Sequence, residues 1–162
     1  MIGNDIIDRL EAGRKSNWRR RGFLSKIFTL SEQRIILESN DEEKFVWLLW
    51  SMKESAYKIY NRATQVRGFF PSKLICSTNA SGNEGIVRYD SKVYYTRSVI
   101  TENMIHTIAV EEENRFISVR ESEDYNVLKD TSGLPFVLFN NEFKPVSTSH
   151  HGRFRKTVAL IS

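Results

Sequence analysis

Trp50-Ser51-Met52-Lys53-Glu54-Ser55-Ala56-Tyr57-Lys58 lies late in the longest helical pattern of this chain. Trp50, Glu54 and Lys58 recur at i, i+4 and i+8, so one helix face carries an aromatic ring, a carboxylate and an ammonium, with Lys53 beside them. Taken alone, a Glu–Lys pair four residues apart is the ordinary solvated salt bridge of a surface helix, stabilising it by a few tenths of a kcal/mol. What stands at the two ends of the chain opens a second reading.

Working outward, Asp41 is a suitable N-cap, and Glu42 and Glu43 sit in the first turn, where the helix dipole favours negative charge. The spacing predicts a long helix from there to about Arg62, with Phe45, Leu48, Leu49, Met52, Ala56, Ile59 and Tyr60 as its apolar stripe. Upstream, Thr29-Leu30-Ser31-Glu32 has capping-box spacing and starts a short helix to about Glu38. Residues 16–27 read as a helix with Trp18, Phe23, Leu24 and Ile27 inward. Residues 2–7 read as a short strand running into a turn or helix.

Downstream the character changes. Gly68, Pro71, Gly82 and Gly85 punctuate a stretch in which 73–77, 86–89, 92–100 and 104–111 read as strands. A further strand is expected at 115–120, then a short helix or loop over 121–130. Asn140-Asn141 reads as a hairpin turn, and Thr157–Ile161 as a final strand. No repeat, low-complexity segment or linker divides the chain. The expectation is one α+β domain over residues 1–162, an antiparallel sheet packed against a long helix.

The 162 residues, 40% of them hydrophobic, suffice for one core. No stretch approaches the roughly 18 apolar residues of a membrane span. The start Met1-Ile2-Gly3-Asn4-Asp5 has no basic or apolar leader region, and the lone Cys76 has no internal partner. A cytoplasmic protein without a membrane partner is expected. The net charge of +4 is concentrated in Arg14, Lys15, Arg19, Arg20 and Arg21, with a second cluster at Arg153, Arg155 and Lys156. Such surfaces attract polyanions, whether nucleic acid, phosphorylated cofactors or acidic proteins, and are as often simply solvated.

Asp5 on the first strand and Glu54 on the long helix are acidic residues able to share a hard divalent cation, and Gly3 permits close approach of a phosphate or of neighbouring backbone. At the other end, Pro145-Val146-Ser147-Thr148-Ser149-His150-His151-Gly152 offers hydroxyls and imidazoles near a strand end, suited to a phosphate. Adjacent histidines on a strand point to opposite faces, which argues against a shared His150–His151 metal site.

Gly3-x-Asp5, Phe28-Thr29-Leu30-Ser31-Glu32, Trp50-x-x-Lys53-Glu54-Ser55-x-x-Lys58 and Ser147-x-Ser149-His150 together resemble the 4′-phosphopantetheinyl transferase superfamily. Their order is similar to that of holo-acyl-carrier-protein synthases, in which S-x-S-H closes the chain; the tryptophan and Lys-Glu-Ser are closer to the two-lobed surfactin type. The resemblance implies that fold and a Mg²⁺-dependent transfer of 4′-phosphopantetheine from coenzyme A to a serine of an acyl or peptidyl carrier protein, releasing 3′,5′-ADP. It implies Asp5 and Glu54 as metal ligands, with catalysis by Asp5, Glu54 and Lys58. Glu54 would help deprotonate the serine and Lys58 would stabilise leaving-group charge. Lys53 and His150, with Ser149 in support, would bind cofactor phosphates.

Carrier proteins of this kind are acidic, so Arg14, Arg19, Arg20 and Arg21 are docking candidates. Surfactin-type members often carry another acidic residue at the position of Ile7, and Asp8 points to the other face, so water is expected in that coordination position. In the two-lobed enzymes S-x-S-H of one lobe meets G-x-D of the other. One copy of each therefore implies a homo-oligomer with sites between subunits, a trimer by resemblance. Residues 62–130 carry no recognised motif. Two other readings stay open: a degenerate coenzyme A or carrier binder, against which the joint presence of Asp5, Glu54 and Lys58 speaks, and a basic nucleic-acid-binding module, which would not need Glu54.

Overall fold

A computed structural model describes residues 1–66 and 68–161. Strand β1 (Ile2–Asp8) leads into helices α1 (Arg9–Lys15), α2 (Phe23–Ile27), α3 (Leu30–Leu37) and α4 (Glu42–Thr64). Then come β2 (Ile75–Thr78), β3 (Glu84–Tyr89), β4 (Lys92–Ile100) and β5 (Met104–Val110). The chain continues with β6 (Val119–Glu121), β7 (Leu128–Lys129), β8 (Pro135–Phe139), β9 (Glu142–His151) and β10 (Phe154–Leu160).

The long helix forms as its caps and stripe predict. The Asp41 side chain accepts from Lys44 N at 3.0 Å, and Gln65, at φ 57°, ends the helix in a left-handed turn. Phe45, Leu48, Leu49, Met52, Ala56 and Ile59 are all buried. Val46, Trp47, Lys53 and Ser55 are buried as well, because α4 is covered on more than the one face a stripe would need.

The strands make two antiparallel sheets, in the orders β1-β5-β4-β3-β2 and β6-β10-β9-β8-β7. Ile2 and Val110 of the first pack against Val158 and Leu160 of the second, so the sheets meet through an apolar seam. Asn140 and Asn141 turn the β8–β9 hairpin with φ of 50° and 62°, as a two-residue hairpin loop requires.

Gly3 sets the distance between β1 and α4. A Cβ there would lie 2.0 Å from the Ser55 carbonyl oxygen. Of the two approaches glycine permits, the structure uses that of neighbouring backbone, and so brings Asp5 alongside the turn that carries Glu54.

Two expectations need correcting. Of the helix expected over 16–27 only Phe23–Ile27 is helical, and a separate helix, α1, ends just before it. Asp8 caps α1 by accepting from Leu10 N and Glu11 N, α1 ends at the extended Ser16, and Gly22 at φ 84° resets the chain for α2. The strand expected at 115–120 is a 3-10 turn over Glu113–Ser118 followed by the three residues of β6.

Candidate active site

Asp5 and Glu54 come together in the lining of a cleft of about 690 Å³. His150 and His151 border the same space, and Trp47, Trp50, Phe69 and Phe70 form apolar walls. Trp50 meets Phe69 edge-on and Tyr57 packs against it at a tilt, joining α4 to the loop that follows it.

Asp5 Oδ1 accepts from Ser149 Oγ at 3.1 Å and lies 3.8 Å from Lys58 Nζ. Its Oδ2 is buried with no hydrogen-bond partner. Burial raises the Asp5 pKa, with Lys58 and Ser149 pulling it back. Glu54 is pushed up to about 7, first by burial and then by the negative charge of Asp5, against the pull of Lys58. Burial lowers the Lys58 pKa while the two carboxylates oppose it. One ammonium thus balances two desolvated acids, and the centre is short of positive charge.

That deficit and the orphaned Asp5 Oδ2 fit a divalent cation. Among the described residues no third His, Cys, Asp or Glu joins the pair. Two carboxylates with the remaining positions left to water and substrate oxygens suit Mg²⁺, which dehydrates reluctantly. Asp8 supplies no ligand: its carboxylate accepts from Arg153 Nε at 2.8 Å and Nη2 at 2.9 Å.

The edge of β1 turned away from β5 explains the serine-rich end of the chain. Asn4 N donates to Ser147 Oγ at 3.0 Å, Ile6 N to Ser149 Oγ at 2.9 Å and Asp8 N to His151 Nδ1 at 2.8 Å. The carbonyls of that edge are met from α4, where Lys58 Nζ donates to Asn4 O at 2.5 Å and Arg62 Nη1 to Ile2 O at 2.8 Å. Alternate side chains of β9 project to one face, so Ser147, Ser149 and His151 match alternate amides of β1. The two sheets are thereby stitched by side chains where a backbone ladder is absent.

Three placements differ from the expectations. Lys53 is fully buried and faces away from the cleft. Its Nζ donates to Glu32 Oε2 at 2.8 Å, Pro71 O at 2.8 Å and Leu74 O at 2.5 Å, so all three N–H groups are used and none is left for a phosphate. Glu32 also accepts from Thr29 N and Cys76 N, making the capping box part of a buried ionic knot. Ser149 is likewise engaged, accepting from Ile6 N and donating to Asp5, and so it positions the carboxylate. Third, S-x-S-H and G-x-D meet within one chain, which removes the geometric reason for a site shared between subunits.

His150 is exposed and borders the cleft, while Lys58 is next to Asp5 but outside the cleft lining. Of the early basic cluster, Arg20 reaches the cleft wall, while Arg19 pairs with Glu42 at 2.8 Å and stacks over Trp18. In the later cluster Arg153 grips Asp8 and Lys156 pairs with Glu121, which leaves less free charge for a polyanion than the sequence suggests.

Sequence reasoning missed Glu32 as partner of Lys53, Arg62 as a clasp, and the His151–Asp8–Arg153 contacts. Arg62 continues the Glu54, Lys58 spacing, and His151 continues the Ser147, Ser149 alternation. Those were the available signals.

The family model for the 4′-phosphopantetheinyl transferase superfamily matches residues 1–126. Among solved structures, an apo-ACPS from Chronobacterium ammoiniagenes superposes with a TM-score of 0.53 at 11% identity, covering 67% of this chain and 93% of that one. Helicobacter pylori holo-[acyl-carrier-protein] synthase in complex with coenzyme A gives 0.53 at 14%, covering 69% and 100%. The Neisseria meningitidis holo-[acyl-carrier-protein] synthase gives 0.51 at 15%, covering 69% and 97%. At such identities the likeness is one of fold, and it bears out the expected architecture. No curated protein matches the chain.

Proposed function

Because the chain belongs to the 4′-phosphopantetheinyl transferase superfamily, we propose that it transfers the 4′-phosphopantetheine arm of coenzyme A to a serine of an acyl or peptidyl carrier protein. The serine oxygen forms a bond to the β-phosphorus, the bond from that phosphorus to the bridging oxygen breaks, and 3′,5′-ADP leaves with the electron pair. The observation that carries the reading is the pairing of Asp5, with its partnerless Oδ2, and Glu54 in one cleft bordered by His150.

Asp5 and Glu54 would hold Mg²⁺, which when bound neutralises pyrophosphate charge and orients the phosphoryl group. Glu54, with a pKa of about 7 in the metal-free protein, is matched to accepting the serine proton near neutral pH. Lys58 is the ammonium nearest both carboxylates; it keeps Asp5 ionised and stabilises charge that builds as the bond breaks. His150 on the rim meets cofactor phosphates. Ser149 holds Asp5 in place, and Lys53 is assigned no contact with the cofactor.

Arg14, Arg19, Arg20 and Arg21 form the docking side for an acidic carrier, with Arg20 closest to the cleft. Reduced Cys76 is in keeping with a cytoplasmic reaction serving fatty acid or polyketide synthesis. A homo-oligomer, a trimer by resemblance, enters the proposal as an assembly of sites each complete in one chain.

The test is intact-protein mass spectrometry of an apo acyl carrier protein incubated with this protein, coenzyme A and Mg²⁺, beside a Glu54→Ala control. A mass gain of one phosphopantetheine arm, lost in the control and with chelator, is the expected result. No gain across several carriers, with coenzyme A still bound, would overturn catalysis in favour of binding alone.

A further inference from the structure

His151 borders the cleft beside His150, yet the two are held differently. The imidazole of His150 has no hydrogen-bond partner among the described residues, whereas His151 Nδ1 accepts from Asp8 N at 2.8 Å. Around that bond the β9–β10 turn closes on the end of β1. Arg153 N and Nε donate to Asp8 Oδ2 at 2.9 and 2.8 Å, and Arg153 Nη2 donates to Asp8 Oδ1 at 2.9 Å. At Gly152, φ 54°, a Cβ would lie 2.5 Å from Asp8 Oδ2, so the turn lies hard against the carboxylate. Asp8 in turn caps α1, whose Ala12 is part of the cleft wall.

The bonds that His151 and Arg153 make to Asp8 join residues about 145 apart in sequence, and the segment that carries His151 and Arg153 lies beyond the part of the chain that the superfamily model matches. Asp5 stands between the two ends of the stitching, with Ser147 at Asn4 N, Ser149 at Ile6 N and His151 at Asp8 N. The ladder to β5 fixes the register of β1 on its other edge, so these three bonds set how closely the strand seats against β9; with the bond at Asp8 gone, the end of β1 can part from β9 and carry Asp5 off its line to Glu54. From this geometry we infer that His151 is a positioning residue, the clasp that seats the end of β1 against β9 and so keeps Asp5 pointed into the cleft. This rests on the transferase reading above. It assigns to His151 a role distinct from that of the neighbouring His150, which faces the substrate.

The acceptor is a single ring nitrogen, so the claim predicts which replacement works. In His151→Asn the side-chain oxygen stands where Nδ1 stands and accepts from Asp8 N. In His151→Ala nothing does. The experiment compares both variants with wild type in three readouts: amide hydrogen exchange of β1, Mg²⁺ binding by calorimetry, and steady-state transfer to an apo carrier protein. In His151→Ala the Asp8 and Ile6 amides exchange faster. Mg²⁺ binds more weakly, and kcat falls by roughly ten- to a hundredfold, the scale of an ångström of misplacement. The KM for coenzyme A stays near wild type, and His151→Asn recovers all three readouts.

Loss of transfer with β1 exchange unchanged and a raised KM, not recovered by Asn, would overturn the proposal and make His151 a substrate contact. Faster exchange with unaltered transfer would also overturn it, because the seating of β1 on β9 would then be irrelevant to the reaction. Wild-type protein that transfers nothing would refute the transferase reading instead; metal binding and β1 exchange would still decide whether His151 holds the strand.

Discussion

Replacing Lys53 by Met separates a buried structural cation from a phosphate ligand more sharply than any other substitution here. The ammonium is fully buried and donates to Glu32, Pro71 O and Leu74 O. Met fills much the same volume but donates nothing. Two carbonyls then lose a donor, and the carboxylate of Glu32, also fully buried, keeps only the N–H groups of Thr29 and Cys76. Removing one partner of a buried ion pair costs about 3–5 kcal/mol. Against a total stability of about 5–15 kcal/mol this is a large fraction, equivalent to a fall in Tm of roughly 10 °C for a domain of this size.

Urea unfolding at low temperature measures the difference directly. Adding Glu32→Gln to Lys53→Met should restore part of the loss, because the uncompensated charge disappears and the capping geometry is kept. Below the transition, the folded variant's KM for coenzyme A should stay within a few-fold of wild type. Equal stability of variant and wild type to within about 1 kcal/mol, or a large rise in KM without loss of stability, would refute this reasoning and return Lys53 to the cofactor.

Gly3→Ala drives a methyl group onto the Ser55 carbonyl oxygen, so β1 and α4 must part; a loss of more than about 2 kcal/mol and a fall in transfer beyond tenfold are expected, read by urea unfolding and steady-state kinetics. Glu54 titrates near 7, above its ordinary value of 4.5, so the metal-free protein is most stable on its account below pH 4.5 and loses that contribution as pH rises towards 7. Glu54→Gln should therefore out-stabilise metal-free wild type at pH 8 by ~1 kcal/mol while abolishing transfer. Mg²⁺ binding to wild type should weaken by about tenfold between pH 8 and pH 6, with proton release visible by calorimetry in buffers of different ionisation enthalpy. Asp8 titrates well below its ordinary value of 3.8 because Arg153 binds its carboxylate, so its contribution is present above that pH and lost as pH falls below it. Asp8→Asn should cost about 1–3 kcal/mol at pH 7, and the gap from wild type should narrow in acid.

Those expectations rest on features of unequal legibility. The caps and stripe of α4, the Thr29–Glu32 box and the Asn140-Asn141 turn could all be read because each depends on residues within a few positions of one another. The helix expected over 16–27 is not formed as a unit, because its apolar residues keep their spacing across a non-helical stretch that begins at extended Ser16 and ends at left-handed Gly22. The role of phosphate ligand falls to Lys53 only through the family resemblance of the motif it shares with Glu54 and Lys58. Its partners Glu32, Pro71 and Leu74 come from other elements, and only packing reveals that they meet.

By itself the amino-acid sequence determined the α+β class, the long helix and the pairing of G-x-D with W-x-x-K-E-S-x-x-K as a candidate metal and phosphoryl site. Periodicity, capping and motif spacing are local properties of the chain. Only the tertiary structure decided that Ser147, Ser149 and His151 stitch β9 to the free edge of β1 within one chain. It decided too that Lys53 turns inward while Glu54, the next residue, lines the cleft. These are matters of register and burial between segments more than a hundred residues apart, or between opposite faces of one helix. They are settled when the two sheets and α4 close around their shared core, since each buried N–H, carbonyl and charge must then find a partner.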